Sequence, residues 1–329
     1  MSYSKDYIIT TLSNSVQQYD TSFSDGQAPI IPTGRIRQPL GGSPYTAVNG
    51  TSKKFPLGFV CYNGDWVPGK VGNYALNFDG TNDYVSVGSV SDFAWMNGKE
   101  NTSGFKFSVS FWIKFNSLPS GIDALATIIS TCNAAGDQGI VIWYDDRPSG
   151  YKKAILFQIT DGSGNPVAQL AKDNDYPDNT DWHHVVVTFD AGASDHCIIY
   201  VDGTLKSQIT SQPTWAAPAD SNSALPLTIG AVGNTAGGQM SYLPASLDEL
   251  AIWNIVLTAA EITELYNRGV GLTTNSIQPS ALVSYWNFED GPGSSTIKNY
   301  PSAASASLNG TLTNMNAGTV CEFPVKKPW

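Results

Sequence analysis

Charge is scarce in this sequence. Only 14% of its 329 residues are charged, and 18 Lys and Arg face 28 Asp and Glu, giving a formal net charge of −10. Binding to a phosphate backbone draws on clustered basic side chains that release counterions. No such cluster is present, and Lys326-Lys327 is too short to serve, so nucleic acid is not an expected partner. No apolar run approaches transmembrane length, which argues against membrane insertion. Met1-Ser-Tyr-Ser-Lys-Asp6 contains no apolar signal region, so the chain is expected to be made and kept on the cytoplasmic side, with no signal peptide. Asn49-Gly-Thr51, Asn101-Thr-Ser103 and Asn309-Gly-Thr311 fit the glycosylation pattern and would then stay idle. The four cysteines, Cys61, Cys132, Cys197 and Cys321, are scattered without metal-type pairing, and Cys197 lies in an apolar run that suits a buried thiol.

What the chain has in plenty is period-two patterning. In Phe107-Ser-Val-Ser-Phe-Trp-Ile-Lys-Phe115, Phe107, Val109, Phe111, Ile113 and Phe115 share one face, with Ser108, Ser110, Trp112 and Lys114 on the other. Asp181 to Asp190 is a β-branched run. Tyr74 to Val87 and Ile198 to Leu205 each place two short apolar runs around an Asp-Gly pair, Asp79-Gly80 and Asp202-Gly203. Asp-Gly supplies the positive φ of a tight hairpin. Alternation broken by turn residues predicts antiparallel sheet, each strand half buried. One short helix is marked: Thr258-Ala-Ala-Glu261 is a capping box, Leu257 and Ile262 occupy the staple positions, and Gly269 ends the turn.

Five of these segments occur in a familiar order: Gly72 to Gly80 with Asp83-Tyr-Val85, Phe107 to Phe115, Trp182 to Asp190, Tyr200-Val-Asp-Gly203, and Leu247-Asp-Glu249 with Leu257 to Tyr266. The order resembles the laminin-G-like branch of the concanavalin A-like lectin/glucanase superfamily, over roughly Asp65 to Gly269. The resemblance implies an all-β fold, a two-sheet antiparallel jelly-roll sandwich. Ala281 to Gly291 through Leu308 to Leu312 is similar to a segment that often opens such a domain, yet here it follows the helix. The expected division is therefore an irregular N-terminal arm over 1–64 and a sandwich over 65–329, with 270–329 folding back to complete it.

The arm itself does not resemble the family. Ile8, Leu12, Val16 and Tyr19 fit a helical stripe that their β-branched and Ser/Thr surroundings weaken. From Gln27 to Pro56, five prolines (Pro29, Pro32, Pro39, Pro44 and Pro56) oppose regular structure. Ile30, Ile31, Ile36, Leu40 and Tyr45 nonetheless make the segment apolar enough to lie along a surface, its own or a neighbour's, and the alternative is a disordered leader.

Catalysis finds little support. Hydrolases of this superfamily place glutamates at alternate positions of one strand, in the manner of Glu-x-Asp-x-x-Glu. None of the six glutamates here is so spaced, and Glu249 beside Asp248 on a strand points to the opposite face. His183 and His184 belong to the Trp-His-His-Val stretch, where sheet packing and cross-strand hydrogen bonding are expected, and His196 lies beside Asp195 at a turn. No Gly-x-Ser-x-Gly elbow or zinc-type histidine pair occurs. The chain is expected not to be an enzyme. The resemblance also implies a structural calcium ion (Ca2+), with Asp79, Asp83 and Asp248 matching the acidic positions of two family motifs. The alternative is that Asp79 serves its turn and Asp248 only makes hydrogen bonds.

Sugar binding needs exposed aromatic faces beside amide or carboxylate groups, because C–H faces stack while hydroxyls seek hydrogen bonds. Trp143-Tyr144-Asp145-Asp146-Arg147 has that mix at a strand end, with Trp143, Tyr144, Asp145 and Asp146 as the candidates, and Tyr176 and Trp215 are further loop candidates. The expected function is a non-catalytic structural or attachment protein of a virus (bacteriophage) particle. It would dock onto other virion proteins through the arm, with homo-oligomers among the expected states, and display at the virion surface a lectin-like sandwich for cell-surface glycans. The alternatives are a free carbohydrate-binding module or adhesin and, least favoured, a glycoside hydrolase.

Overall fold

The computed structural model describes residues 74–97, 105–120, 124–132, 139–160, 166–193, 197–208, 225–233, 239–268, 277–290, 293–300, 306–315 and 319–320, together with six short strands before residue 74. The chain divides into two units: Met1–Gly72 with Asn267–Gly271 and Phe323–Trp329, and Asn73–Tyr266 with Leu272–Glu322. In the first unit, β1 (Ile9–Thr10) pairs with β2 (Val16–Gln18), β3 (Tyr45–Thr46) with β4 (Ser52–Lys53), and β5 (Phe59–Tyr62) with β6 (Asp65–Pro68). The helical stripe through Val16 is not formed, since that residue is in a strand. Ser/Thr and β-branched neighbours favour extended backbone over helix there. The remaining side chains of the expected arm, with Cys61, His196, Gly269 and Cys321, lie outside the described residues.

The second unit is built from two sheets. Its strands are β7 (Tyr74–Asn77), β8 (Tyr84–Val87), β9 (Lys106–Phe115), β10 (Leu125–Ser130), β11 (Gly139–Asp145), β12 (Ala154–Thr160), β13 (Pro166–Leu170), β14 (His183–Asp190), β15 (Cys197–Val201) and β16 (Thr204–Gln208). There follow β17 (Leu227–Ile229), β18 (Val232–Gly233), β19 (Gln239–Met240), β20 (Ala245–Trp253), helix α1 (Ala259–Arg268), β21 (Leu282–Trp286), β22 (Thr296–Ile297), β23 (Gly310–Thr313) and β24 (Thr319–Val320). One sheet runs β13-β12-β11-β10-β17-β8-β23-β22, and the other β16-β15-β14-β9-β20-β7-β24. All the pairings are antiparallel. Both sheets thus receive strands from beyond the helix, and β21 pairs with the far half of β20.

The alternating residues of β9 behave as their pattern dictates. Phe107, Val109, Phe111, Ile113 and Phe115 are fully buried between the sheets, where Phe107, Phe157 and Phe189 meet at centroid distances of 5.6–5.9 Å. The other face of β9 is not half exposed, however. Ser108, Ser110 and Trp112 are buried as well, and a second apolar cluster with Trp253, Leu257, Ile262 and Leu265 covers this side of the sheet. The Ser108 hydroxyl donates to the Ile255 carbonyl at 2.8 Å and accepts from the Leu257 N–H at 2.9 Å, which fixes the approach to the helix. The capping box closes that approach: the Thr258 N–H donates to Glu261 Oε2 at 2.8 Å and the Glu261 N–H to Thr258 Oγ1 at 3.3 Å.

The two Asp-Gly pairs do different jobs. Asp202 (φ 53°) and Gly203 (φ 71°) form the two-residue loop between the paired strands β15 and β16, and positive φ at both central positions matches a hairpin turn of the right twist. Asp79-Gly80 does not close a hairpin. β7 and β8 belong to different sheets, so the chain arches from one to the other. Phe78 is buried under the arch, Gly80 takes φ 77°, and a Cβ there would meet Pro244 Cβ at 2.9 Å. No helix among the described residues is long and apolar enough to cross a membrane.

Candidate functional site

The outer face of β10–β13 carries a cavity. In β11, Ile140, Ile142 and Tyr144 point into the main core, so Val141, Trp143 and Asp145 point outward. In β12 the same alternation turns Ile155, Phe157 and Ile159 inward, and Leu156, Gln158 and Thr160 outward. The outward residues, with β13, the β11–β12 turn and the segment near β19, enclose a cavity of about 450 Å³. That volume lies within the range of small-ligand sites.

Its floor is apolar: Trp143, Leu156 and Val232 are buried side by side. Trp143 is opposite both Thr127 and Leu156 in the ladders, and its indole N–H donates to Thr127 Oγ1 at 2.9 Å. Its walls are polar. Gln158 and Gln169 face each other across β12 and β13, and Gln169 Nε2 donates to the Tyr151 hydroxyl at 3.2 Å. Tyr151, Gln158, Gln169 and Met240 are all half-buried, and the first three offer hydroxyl and amide groups to a ligand.

At one end, Asp145 and Arg147 form a closed pair. Arg147 donates through Nε to Asp145 Oδ1 at 3.0 Å and through a terminal nitrogen to Oδ2 at 2.8 Å. The backbone N–H of Arg147 also reaches Oδ1, at 3.0 Å, and that of Tyr151 reaches Oδ2, at 3.4 Å. Asp145 is fully buried, and a Cβ on Gly150 would come within 2.6 Å of its carboxylate, so only glycine allows the turn to wrap this close. The hydrogen bonds that Arg147 donates to Asp145 raise the already high pKa of the guanidinium further, against the opposing effect of burial.

Of the residues expected at a sugar site, Trp143 and Asp145 line this cavity, and Tyr144, Asp146 and Tyr176 do not. Tyr144 is on the opposite face of β11, fully buried against Phe115 at 4.7 Å. Tyr176 is in the same core, edge-on to Phe115 and Tyr144, each at 5.5 Å. Burial raises the phenol pKa of both. Neither ring has an open face for stacking. Asp146 is half-buried and accepts the Lys153 N–H at 3.3 Å. Trp215 lies outside the described residues. The residues not expected were Arg147 as a pinned cation, Tyr151, Gln158, Gln169 and Met240. Gln158 carried a signal, as a polar residue at alternate spacing between Leu156 and Thr160 in an otherwise apolar strand.

Of the three acids expected to hold calcium, Asp79 and Asp83 share one turn and Asp248 lies apart from them. Asp79 is exposed and accepts the Thr81 and Asn82 N–H groups at 2.7 and 3.3 Å, serving its own turn. Asp83 accepts the Asp79 N–H at 2.9 Å, and burial raises its pKa, with the Asp79 charge adding to the rise and the backbone hydrogen bond opposing it. Asp248 is buried and lies four residues down the β7–β20 ladder from the arch, roughly 13 Å at strand rise. Its Oδ1 accepts the Glu249 N–H at 2.9 Å. Among the described residues no group of three or more His, Cys, Asp or Glu is placed to hold a metal ion. The histidines serve the sheet: His183 bridges Asp202 (2.7 Å) and Asn179 (2.8 Å), and His184 Nε2 meets Ser110 Oγ at 2.8 Å.

The family model of the concanavalin A-like lectin/glucanases superfamily, in its laminin-G form, matches residues 79–263, more than half of the chain. The chain belongs to this superfamily. A candidate carbohydrate-binding protein from Bacteroides ovatus shares the fold at TM-score 0.54 and 18% identity, over 79% of this chain and 63% of its own. The chain therefore spans about 63% of the length of that structure. The CBM40 of a Ruminococcus gnavus sialidase, bound to α2,3-sialyllactose, matches at TM-score 0.42 and 8% identity, over 59% of this chain and 99% of its own. A heptameric pentraxin from Limulus polyphemus matches at TM-score 0.41 and 14% identity, over 62% of this chain and 88% of its own. No curated protein sequence matches. The laminin-G match covers every strand from β8 to β20, so the residues lining the cavity lie within the matched segment.

Proposed function

We propose that this superfamily member is a non-catalytic glycan-binding protein, and that it binds sugar in the cavity between Trp143, Tyr151 and Arg147. One observation carries the reading: an apolar floor holding a tryptophan is ringed by two glutamine amides, a tyrosine hydroxyl and a guanidinium. Sugars present apolar C–H faces edged by hydroxyls, and this arrangement answers both. The absence of catalysis is supported by the carboxylate chemistry of the same cavity. Glycoside hydrolysis uses two carboxyl groups about 5–9.5 Å apart on either side of a sugar. Among the described residues Asp145 is the sole carboxylate lining the cavity, and it is buried and held by Arg147.

The setting proposed for this activity is the surface of a bacteriophage particle, with residues 1–64 as the segment that docks to other virion proteins. The division between a unit dominated by residues 1–72 and the sandwich unit is compatible with such a role. Two measurements test the pair of statements. Glycan-array binding by the full chain is expected to be lost in Trp143→Ala while the protein remains folded, and retention of binding in that variant would place the site elsewhere. Co-purification with particles is expected for the full chain and not after deletion of residues 1–64. Equal association of both forms would remove the docking role from that segment.

A further inference from the structure

We infer that the cavity selects neutral glycans over acidic ones, and that Asp145 acts as a positioning residue that neutralises and aims Arg147. This inference rests on the reading of the cavity as a sugar site. A guanidinium in a binding cavity ordinarily invites a carboxylate, because its planar fork matches two oxygens. Here the fork is already filled from within the chain. Nε and one terminal nitrogen are spent on Asp145, whose two oxygens together also receive backbone N–H groups from Arg147 and Tyr151.

The carboxylate cannot turn away. It is fully buried, Gly150 closes against it without room for a Cβ, and it lies opposite Leu125 and Ala154 in the neighbouring strands. Among the described residues that line the cavity, Asp145 is the one acidic side chain and Arg147 the one basic side chain. The two lysines of the same turn do not line the cavity: Lys152 Nζ donates to the Arg147 carbonyl at 2.6 Å, and Lys153 Nζ pairs with Asp178 at 2.5 Å. A ligand carboxylate that approached the remaining N–H groups of Arg147 would enter the field of Asp145 as well as that of the cation. Attraction and repulsion then largely cancel, while the cost of stripping water from the carboxylate stays in full.

A neutral hydroxyl or ring oxygen carries no such cost. Either can accept from the N–H groups of Arg147 not used by Asp145 and from the Gln158 amide, and a hydroxyl can also donate to the Gln158 carbonyl or the Tyr151 hydroxyl oxygen. The same pairing keeps the arginine rigid: side-chain entropy that a free arginine would lose on binding is already spent in the folded protein.

The test is calorimetric titration of the full-length protein with matched probes. Lactose is set against sialyllactose, and maltotetraose and cellotetraose against tetragalacturonate, each at 50 and 500 mM sodium chloride. A neutral probe is expected to bind at least tenfold more tightly than any acidic one, with less than a twofold change between the two salt concentrations. Asp145→Asn is expected to narrow or reverse that ratio by releasing the guanidinium, with salt-sensitive binding of the acidic probe. Arg147→Met, which also removes the cation, is expected to weaken neutral binding without any gain for acids, and its melting curve shows whether the turn still folds. Tighter, salt-sensitive binding of an acidic probe by the unaltered protein would overturn the selectivity and leave the sugar site standing. Failure of every neutral and acidic probe would overturn both.

Discussion

The indole of Trp143 is tethered to Thr127: its N–H donates to the threonine Oγ1 at 2.9 Å across the β10–β11 ladder. Both residues are buried, so this bond satisfies the one polar atom of the cavity floor and holds the ring in a single orientation. Thr127→Val is expected to leave that N–H unpaired, lowering stability by about 1–3 kcal/mol and weakening glycan binding without abolishing it. Trp143→Ala removes the floor itself and is expected to cost about 3–5 kcal/mol. Urea unfolding alongside glycan titration checks both. Equal loss of binding in the two variants would show that the hydrogen bond, rather than the ring, matters most.

Tyr144 and Tyr176 serve the core. Each has a buried hydroxyl without a hydrogen-bond partner among the described residues. Removal of an unsatisfied buried hydroxyl relieves a desolvation cost, so Tyr144→Phe and Tyr176→Phe are expected to be neutral or stabilising by up to about 1 kcal/mol. Glycan affinity is expected not to change. A loss of affinity in either variant would return that tyrosine to the binding site.

Asp175 gives the fold a pH dependence of unusual sign. The carboxylate is buried and accepts the Ile155 N–H at 2.9 Å and the Ser207 hydroxyl at 3.3 Å, so it links β12 of one sheet to β16 of the other. Burial raises its pKa from 3.8 to about 6, although the hydrogen bonds and the Lys172 and Lys206 charges oppose the rise. Between those values the folded chain holds a proton that the unfolded chain has released. Stability therefore falls as pH rises from about 4 to about 6, by about 3 kcal/mol, and then levels off. Melting temperatures measured from pH 4 to 8 are expected to show this decline after other groups are accounted for by comparison with Asp175→Asn, which should lack it. Parallel curves for the two proteins would contradict the assignment.

The capping box predicts a smaller effect. Thr258→Ala removes the acceptor for the Glu261 N–H and is expected to cost about 1 kcal/mol, lowering the melting temperature by roughly 2–4 °C. Glu261→Gln should retain most of that stability, because an amide oxygen can still accept the Thr258 N–H. If Glu261→Gln costs as much as Thr258→Ala, the charge of Glu261 rather than its reach is what counts.

Much of the architecture was legible in adjacent residues. The alternation of Phe107 to Phe115, the Asp202-Gly203 hairpin and the Thr258–Glu261 cap each depend on neighbours a few positions apart, and local backbone preference is enough to specify them. The order of these segments was enough to place the chain in its superfamily. Their partners in space were not legible. Asp79-Gly80 has the chemistry of a hairpin turn, yet burial of Phe78 between the sheets sends the two flanking strands into different ones.

The binding face was decided in the same way. Alternation alone puts Trp143 and Tyr144 on opposite sides of β11, but both sides of that strand are apolar, so periodicity cannot say which one meets the core. The second sheet decides it, by packing on Ile140, Ile142 and Tyr144, so that Trp143 is buried in the smaller cluster on the other face, at the floor of the cavity. Gln158, Gln169 and Met240 come to the same cavity from separate segments, brought there by strand register and by the return of the chain. The sequence by itself determined the sandwich, because its turns, strands and cap are set by short-range sterics and hydrogen bonding. Only the tertiary structure decided the site, because a cavity is made by side chains whose distances are set by packing between strands.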